Sequence, residues 1–304
     1  MRKIPDLGVK LGPAPIPALA RSLAVAALLC AGSAGPAVAE ATAEPAATTA
    51  EPAAASAWAA LHASRARLVA SAGRTPGGKR LAGLEVVLDD GWKTYWRMPG
   101  DAGVPPSFEW AGSGNAAIIK VLYPAPKRFP EAGGEVIGYK QAVLLPIEVT
   151  PKDPSKPVAL KLALELAVCR EICVPATATL DVTLPPAGAA APKDAIAAAL
   201  ERVPRPQAGR RPDDPKLIKV SAEGEGSVRL VVQAAFTGDA GDVFVEAPEG
   251  IYVPMLRKGP PAADGTTVFS VDLSPDLARD LKGKSLTLTL VSETGASEAQ
   301  WTFP

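Results

Sequence analysis

A single histidine, His62, stands in a chain of 304 residues. That scarcity makes Cys–His, Ser–His–Asp and multi-histidine metal sites poor readings. A lone histidine beside Trp58 and Leu61 reads instead as a surface or packing residue. Lysine plus arginine equals aspartate plus glutamate at 32 each. No charge excess therefore points to nucleic acid or to an anionic membrane. Aromatics are only 5 % of the chain, and there are three cysteines and three methionines. Methionine-rich copper motifs are excluded by that count. No Gly-rich phosphate loop and no carboxylate pair at a telling spacing occur, so no cofactor and no small-molecule substrate is indicated. Apolar runs never approach the roughly 20 residues of a membrane-spanning helix.

Proline (32) and glycine (27) are plentiful. With many short alternating runs between them, they predict an all-β, turn-rich protein. The length suffices for two modest domains. Residues 1–39 have the form of a cleavable secretory signal. A basic start (Arg2, Lys3, Lys10, Arg21) precedes the short apolar core Leu23–Ala31 and the small-x-small site Ala37-Val38-Ala39. Leu29 before Cys30 argues against a lipoprotein signal, which wants a small residue there. Export to the periplasm is the expectation, with Cys169 and Cys173 left in the mature chain. Residues 40–57, almost entirely Ala, Thr, Glu and Pro, read as a low-complexity tether.

The most informative stretch runs from Val158 to Leu184. Val158, Leu160, Leu162, Leu164, Leu166 and Val168 alternate with smaller or charged residues, the period-two pattern of a strand with one buried face. Cys169-Arg170-Glu171-Ile172-Cys173 follows, and alternation resumes through Leu184. Two strands joined by three residues form a hairpin that sets the cysteines opposite each other. Cross-strand Cα separations of about 4.5 to 5.5 Å are within reach of a disulfide. Such a bond is either a structural staple or a reversible redox pair. A ring of about five residues constrains the unfolded chain by only about 2 kcal/mol, so exchange chemistry suits it better. Arg170 would lower a neighbouring thiol's pKa and Glu171 would raise it, so local charge does not choose the attacking sulfur; Cys173→Ala is one way to trap partners.

Strands are also expected at Arg65–Ala70, Leu84–Leu88, Ser107–Trp110, Ala117–Tyr123 and Ala142–Thr150. The stretch from Asp90 to Pro106 holds Trp92, Tyr95 and Trp96, either as core aromatics around a loop or as a wall beside the disulfide. Pro124–Gly134 reads as a long flexible loop of the kind that often forms a lid. Residues 187–215 form a Pro-rich linker with a short helix within Lys193–Val203. Its arginines (Arg205, Arg210, Arg211) read as a solvated hinge. Further strands follow at Leu217–Val220, Val228–Phe236, Val243–Ala247, Thr267–Leu273, Leu286–Ser292 and Ala299–Phe303. The fold expected is two immunoglobulin-like β-sandwich domains, residues 58–186 and 216–304.

Asp90–Pro106, Tyr123–Phe129, Gly138-Tyr139, Leu144–Ile147 and Cys169–Pro175, in that order, resemble the N-terminal periplasmic domain of the thiol:disulfide interchange protein DsbD. The versions in ScsB-type copper-tolerance proteins are the most similar. The resemblance implies an immunoglobulin-like domain with Cys169 and Cys173 as its redox pair. Phe129, Tyr139 and Trp96 would cap or line the site. Three residues separate the cysteines here, fewer than in DsbD, and Phe129 is offset from the family's cap aromatic. The sequence carries no membrane electron carrier and no Cys-x-x-Cys thioredoxin-like segment. Reducing equivalents would therefore pass to or from periplasmic thioredoxin-like proteins or membrane DsbD-type proteins, by protein-disulfide-reductase-type exchange. Two other readings remain open. One is Cu(I) handling by Cys169 and Cys173, with Met98 as a third sulfur. The other is a binding module with a structural disulfide.

Overall fold

The computed structural model describes residues 54–75, 77–131, 134–186, 195–224, 227–238 and 240–304. The expected signal segment, Cys30 and most of the expected tether lie outside these residues. The described residues belong to one compact unit that begins at Ala50.

The first sandwich runs through β1 (Ala59–Leu61), β2 (Ser64–Arg74), β3 (Arg80–Leu88), β4 (Lys93–Gly100), β5 (Ser107–Glu109), β6 (Ala116–Val121), β7 (Lys127–Glu131), β8 (Gly134–Lys140), β9 (Ala142–Pro151), β10 (Val158–Cys169) and β11 (Cys173–Leu184). One sheet has the order β1-β2-β3-β9-β6; the other has the order β11-β10-β4-β8-β7, with β5 added on β10. Val158, Leu160, Leu162 and Leu164 turn inward at no more than 1 % exposure, while Ala159, Lys161, Ala163 and Glu165 turn outward. Burying each such leucine is worth about 1.5–3 kcal/mol. This is why the alternation pins the register of the hairpin.

After α1 (Ala195–Leu200) come β12 (Arg205–Pro206), β13 (Lys216–Glu223), β14 (Val228–Ala235), β15 (Asp242–Glu246), β16 (Arg257–Pro261), β17 (Thr267–Leu273), α2 (Pro275–Leu281), β18 (Ser285–Val291) and β19 (Ala296–Thr302). They form two four-stranded sheets, β12-β19-β18-β15 and β13-β14-β17-β16. Leu230, Val232, Phe269, Leu286, Leu288 and Leu290 close a second core at 0 % exposure. The protein is thus nearly all-β, with two sandwiches and short helices.

Four segments differ from what the sequence suggests. Lys93–Gly100 is a strand, not a loop. Both its faces are covered, so no polar–apolar alternation marks it. The stretch Pro124–Gly134 is half strand, because Lys127–Glu131 pairs with β8; Ala132 and Gly133 lie outside the described residues. Residues 54–56, assigned to the tether, hydrogen-bond along β2 through Ser56 N–H to the Leu68 carbonyl (2.8 Å). Arg205 is not part of a solvated hinge, although Arg211 stays exposed: β12 runs parallel to β19, and Arg205 reaches Asp214, whose side chain is 1 % exposed. A buried carboxylate needs such a partner. The helix α2, capped by Ser274 with Pro275 in its first turn, has a legible start signal that strand alternation had masked.

The sandwiches meet along β4 and β7. Arg97 forks onto Glu246 (2.8 and 2.7 Å) and also reaches Glu298 (2.6 Å). Arg128 forks onto Asp242 (2.8 and 2.7 Å) and reaches Glu135 (2.6 Å). Phe244 of β15 packs on Trp96 at 5.7 Å and is counted within the first core.

Candidate disulfide site

Cys169 closes β10 and Cys173 opens β11, opposite each other in register, with Cα atoms 4.2 Å apart and a disulfide between them. The tip Arg170-Glu171-Ile172 is exposed, Ile172 at 70 %. The two sulfurs are not equivalent. Cys169 lies between β11 and β4, where it pairs with Lys93, and is 1 % exposed. Cys173 sits on β11, an outer strand of its sheet, and is exposed.

Register places the surroundings. Partners directly opposite share a face, as do residues two apart. Cys169 faces the same way as Lys93, hence also as Tyr95. Tyr95 pairs with Gly138, which puts Val136 on that face, and Val136 pairs with Phe129. These residues form a small cluster apart from the main core: Tyr95, Val136, Ala167 and Cys169, with Phe129 packed against it. Gly138 makes the arrangement possible. A Cβ there would lie 2.0 Å from the Thr94 carbonyl oxygen, so only glycine lets β8 come this close to β4.

The Tyr95 hydroxyl is the polar group that reaches the sulfurs, donating to Cys169 Sγ at 2.8 Å and lying 3.0 Å from Cys173 Sγ. Burial, and then the Glu131 carboxylate, raise its pKa, so the phenol keeps its proton at neutral pH. Glu131 is held by the buried Lys93 ammonium at 2.8 Å. Lys140 stands 4.5 Å from the Phe129 ring centre, a cation–π contact that steadies the ring. At the tip, Arg170 lies over Trp92, which meets His62 edge-on. His62 is therefore a packing residue on the surface.

The other expected site residues lie elsewhere. Tyr139 is in the main core, its hydroxyl donating to the Pro124 carbonyl at 2.7 Å; burial raises its pKa well above the usual range. Trp96 is fully buried on the opposite face of β4 from Tyr95, and its indole N–H has no acceptor. Met98 packs on the main core with Trp96, apart from the cluster around Cys169. Among the described residues no three His, Cys, Asp or Glu side chains converge as a metal site. Of the expected capping residues, only Phe129 joins the cysteines. Tyr95, which the sequence offered only as one of three aromatics either in the core or beside the disulfide, is the one that reaches the sulfurs.

Its role gives an expected result. Tyr95→Phe keeps the ring and removes the donor. A hydrogen bond to a charged group contributes about 1.5–3 kcal/mol, and one pKa unit is about 1.4 kcal/mol. The reduced pair should lose its lowest thiol pKa, which rises by about one unit, read as the pH dependence of iodoacetamide alkylation. An unmoved profile would remove the phenol from the chemistry.

Residues 60–185 match the family model described as the thiol:disulfide interchange protein DsbD, N-terminal. The fold is similar to the crystal structure of the N-terminal periplasmic domain of ScsB from Proteus mirabilis, with a TM-score of 0.62 and 22 % sequence identity. That likeness covers 82 % of this chain and 98 % of the ScsB domain, and so extends beyond the family match. A comparison with curated proteins finds no match.

Proposed function

With residues 60–185 matching the DsbD N-terminal family, we propose that the chain is a periplasmic thiol–disulfide interchange protein. It passes reducing equivalents to or from partner proteins through Cys169–Cys173. The single observation that carries this reading is the asymmetry of the pair, one sulfur exposed on an outer strand and one buried under the Tyr95 hydroxyl in the cluster that Phe129 packs against.

Exchange then has a defined order. A partner thiolate attacks Cys173 Sγ, the accessible sulfur. The Sγ–Sγ bond breaks, and its electron pair leaves on Cys169 as a thiolate that Tyr95 is placed to stabilise. A second partner thiol attacks the mixed disulfide at the partner's own sulfur and releases Cys173. The partner is oxidised by two electrons and the cysteine pair reduced by two. In the reverse direction Cys173 attacks a partner disulfide and Cys169 resolves the mixed disulfide. Partners of the thioredoxin-like kind, or membrane proteins of the DsbD kind, supply this chemistry. No described helix is long and apolar enough to cross a membrane, which fits the signal-directed export inferred from residues 1–39.

The reduction potential tests the proposal. Equilibration with a glutathione or dithiothreitol series should place the pair between about −180 and −270 mV, among exchange proteins. A value below about −300 mV marks a structural bond and would overturn the reading.

A further inference from the structure

Phe129, which covers the buried sulfur's cluster, and Arg128, which grips the second sandwich, are neighbours on β7. Successive strand residues point to opposite faces, so one short strand joins the disulfide's cover to the domain contact. Arg128 is held bidentately by Asp242 of β15 and accepted again by the Leu256 carbonyl at 3.3 Å, both in the second sandwich. The other end of the hairpin is tied as well. Tyr252 of the second sandwich donates to Asp101, and Asp101 accepts the Glu135 backbone N–H at 3.1 Å. The Asp101 N–H in turn donates to the Glu135 carbonyl at 2.9 Å. The β7–β8 hairpin is thus held from the second sandwich at two points that flank Phe129.

Cavities of about 940 and 670 Å³ lie on either side of the Arg128–Asp242 bridge, and both are lined by Arg128, Gly241 and Asp242. The Arg128–Asp242 bridge is therefore a polar tie bordered by open cleft, set apart from the apolar contact of Phe244 on Trp96 that joins the sandwiches at β4. Within the first sandwich the cover is held by the Lys93–Glu131 and Arg128–Glu135 pairs, the Lys140–Phe129 contact, the packing of Phe129 on the Cys169 cluster and the β7–β8 ladder.

We propose that the second sandwich is the lock of the cap: Arg128 is a positioning residue, and its grip by Asp242 keeps Phe129 seated beside the Cys169–Cys173 disulfide. Release of that grip lifts the cover from Cys169, so that reagents and partners reach a second sulfur besides the exposed Cys173. A partner that displaces the second sandwich would therefore gain access to the buried sulfur as it docks. The inference rests on the exchange reading for its purpose, while its test concerns access alone.

The test uses the mature, full-length protein carrying Asp242→Ala, Phe129→Ala or both, with Arg128→Gln as a second way to break the tie. Dithiothreitol reduces the disulfide under pseudo-first-order conditions, and iodoacetamide alkylates the reduced pair. Each single variant should react about tenfold faster than the parent in both assays. The equilibrium constant for reduction by dithiothreitol should change by less than about twofold. The double variant should react no faster than Phe129→Ala, because both changes release one cover. Unchanged rates in Asp242→Ala and Arg128→Gln, or rates that multiply in the double variant, would overturn the lock. A potential below about −300 mV in the parent would instead sink the exchange reading and leave the rate comparison standing.

Discussion

Cys173→Ala should abolish disulfide exchange with every partner, whereas Cys169→Ala should convert the protein into a trap that accumulates mixed disulfides. The two changes remove chemically identical groups four residues apart, so any difference comes from placement. Cys173 is exposed on an outer strand, and Cys169 is 1 % exposed between strands, under Tyr95. A partner sulfur can approach only the first. Without Cys169 the attack still occurs, but no thiol remains to resolve the adduct. Non-reducing electrophoresis of periplasmic extracts, with alkylation to quench exchange, reads the result directly. Adducts carried by Cys173→Ala and absent from Cys169→Ala would reverse the roles. This assignment changes the choice of trapping variant: local charge in the sequence left the attacking sulfur open, and Cys173→Ala would have captured nothing.

Trp96→Ala should cost the first sandwich about 3–5 kcal/mol, the range for truncating a fully buried large aromatic. The thiol chemistry should barely change. Trp96 has 0 % exposure and touches Phe244 of the second sandwich at 5.7 Å. The Arg97 guanidinium lies 4.6 Å from its ring and carries the bridge to Glu246 and Glu298. The cavity would therefore open where the two cores join, and denaturant unfolding should fall in midpoint and separate into two transitions. A variant still folded at low denaturant should keep the parent's alkylation profile. Tyr95→Phe is the mirror case, with a small stability cost and a shifted profile. If Trp96→Ala moved the thiol pKa as much as Tyr95→Phe does, the division of β4 into a core face and a site face would be wrong.

That division explains which parts of the site were legible. The hairpin could be read because both of its strands alternate over many residues, and a three-residue tip leaves only one register. Phe129 could be placed near the cysteines only through the resemblance to DsbD, and the structure seats it against their cluster. Trp96 and Tyr95 are aromatics on β4, next to β10, and Tyr139 is one on β8, a strand further out; nothing local separates them. What separates them is parity relative to Cys169, which depends on the pairing of Lys93 with Cys169, far apart in the chain. A shift of that pairing by one residue would have exchanged Tyr95 and Trp96. The linker misled for a related reason. Arginines beside prolines look solvated until the fold supplies the buried Asp214 that Arg205 meets.

The sequence by itself determined that the chain is all-β, that two cysteines face each other at a hairpin tip, and that apolar alternation buries one face of each long strand. Those are consequences of short-range periodicity, which survives in any arrangement of the strands. Only the tertiary structure decided that Cys173 is open and Cys169 closed, that Tyr95 and not Trp96 reaches the sulfurs, and that β7 ties the cover to the second sandwich. These depend on which strands become neighbours and which lies at the edge. That choice is made by burial summed over whole sheets, and no local stretch of residues encodes it.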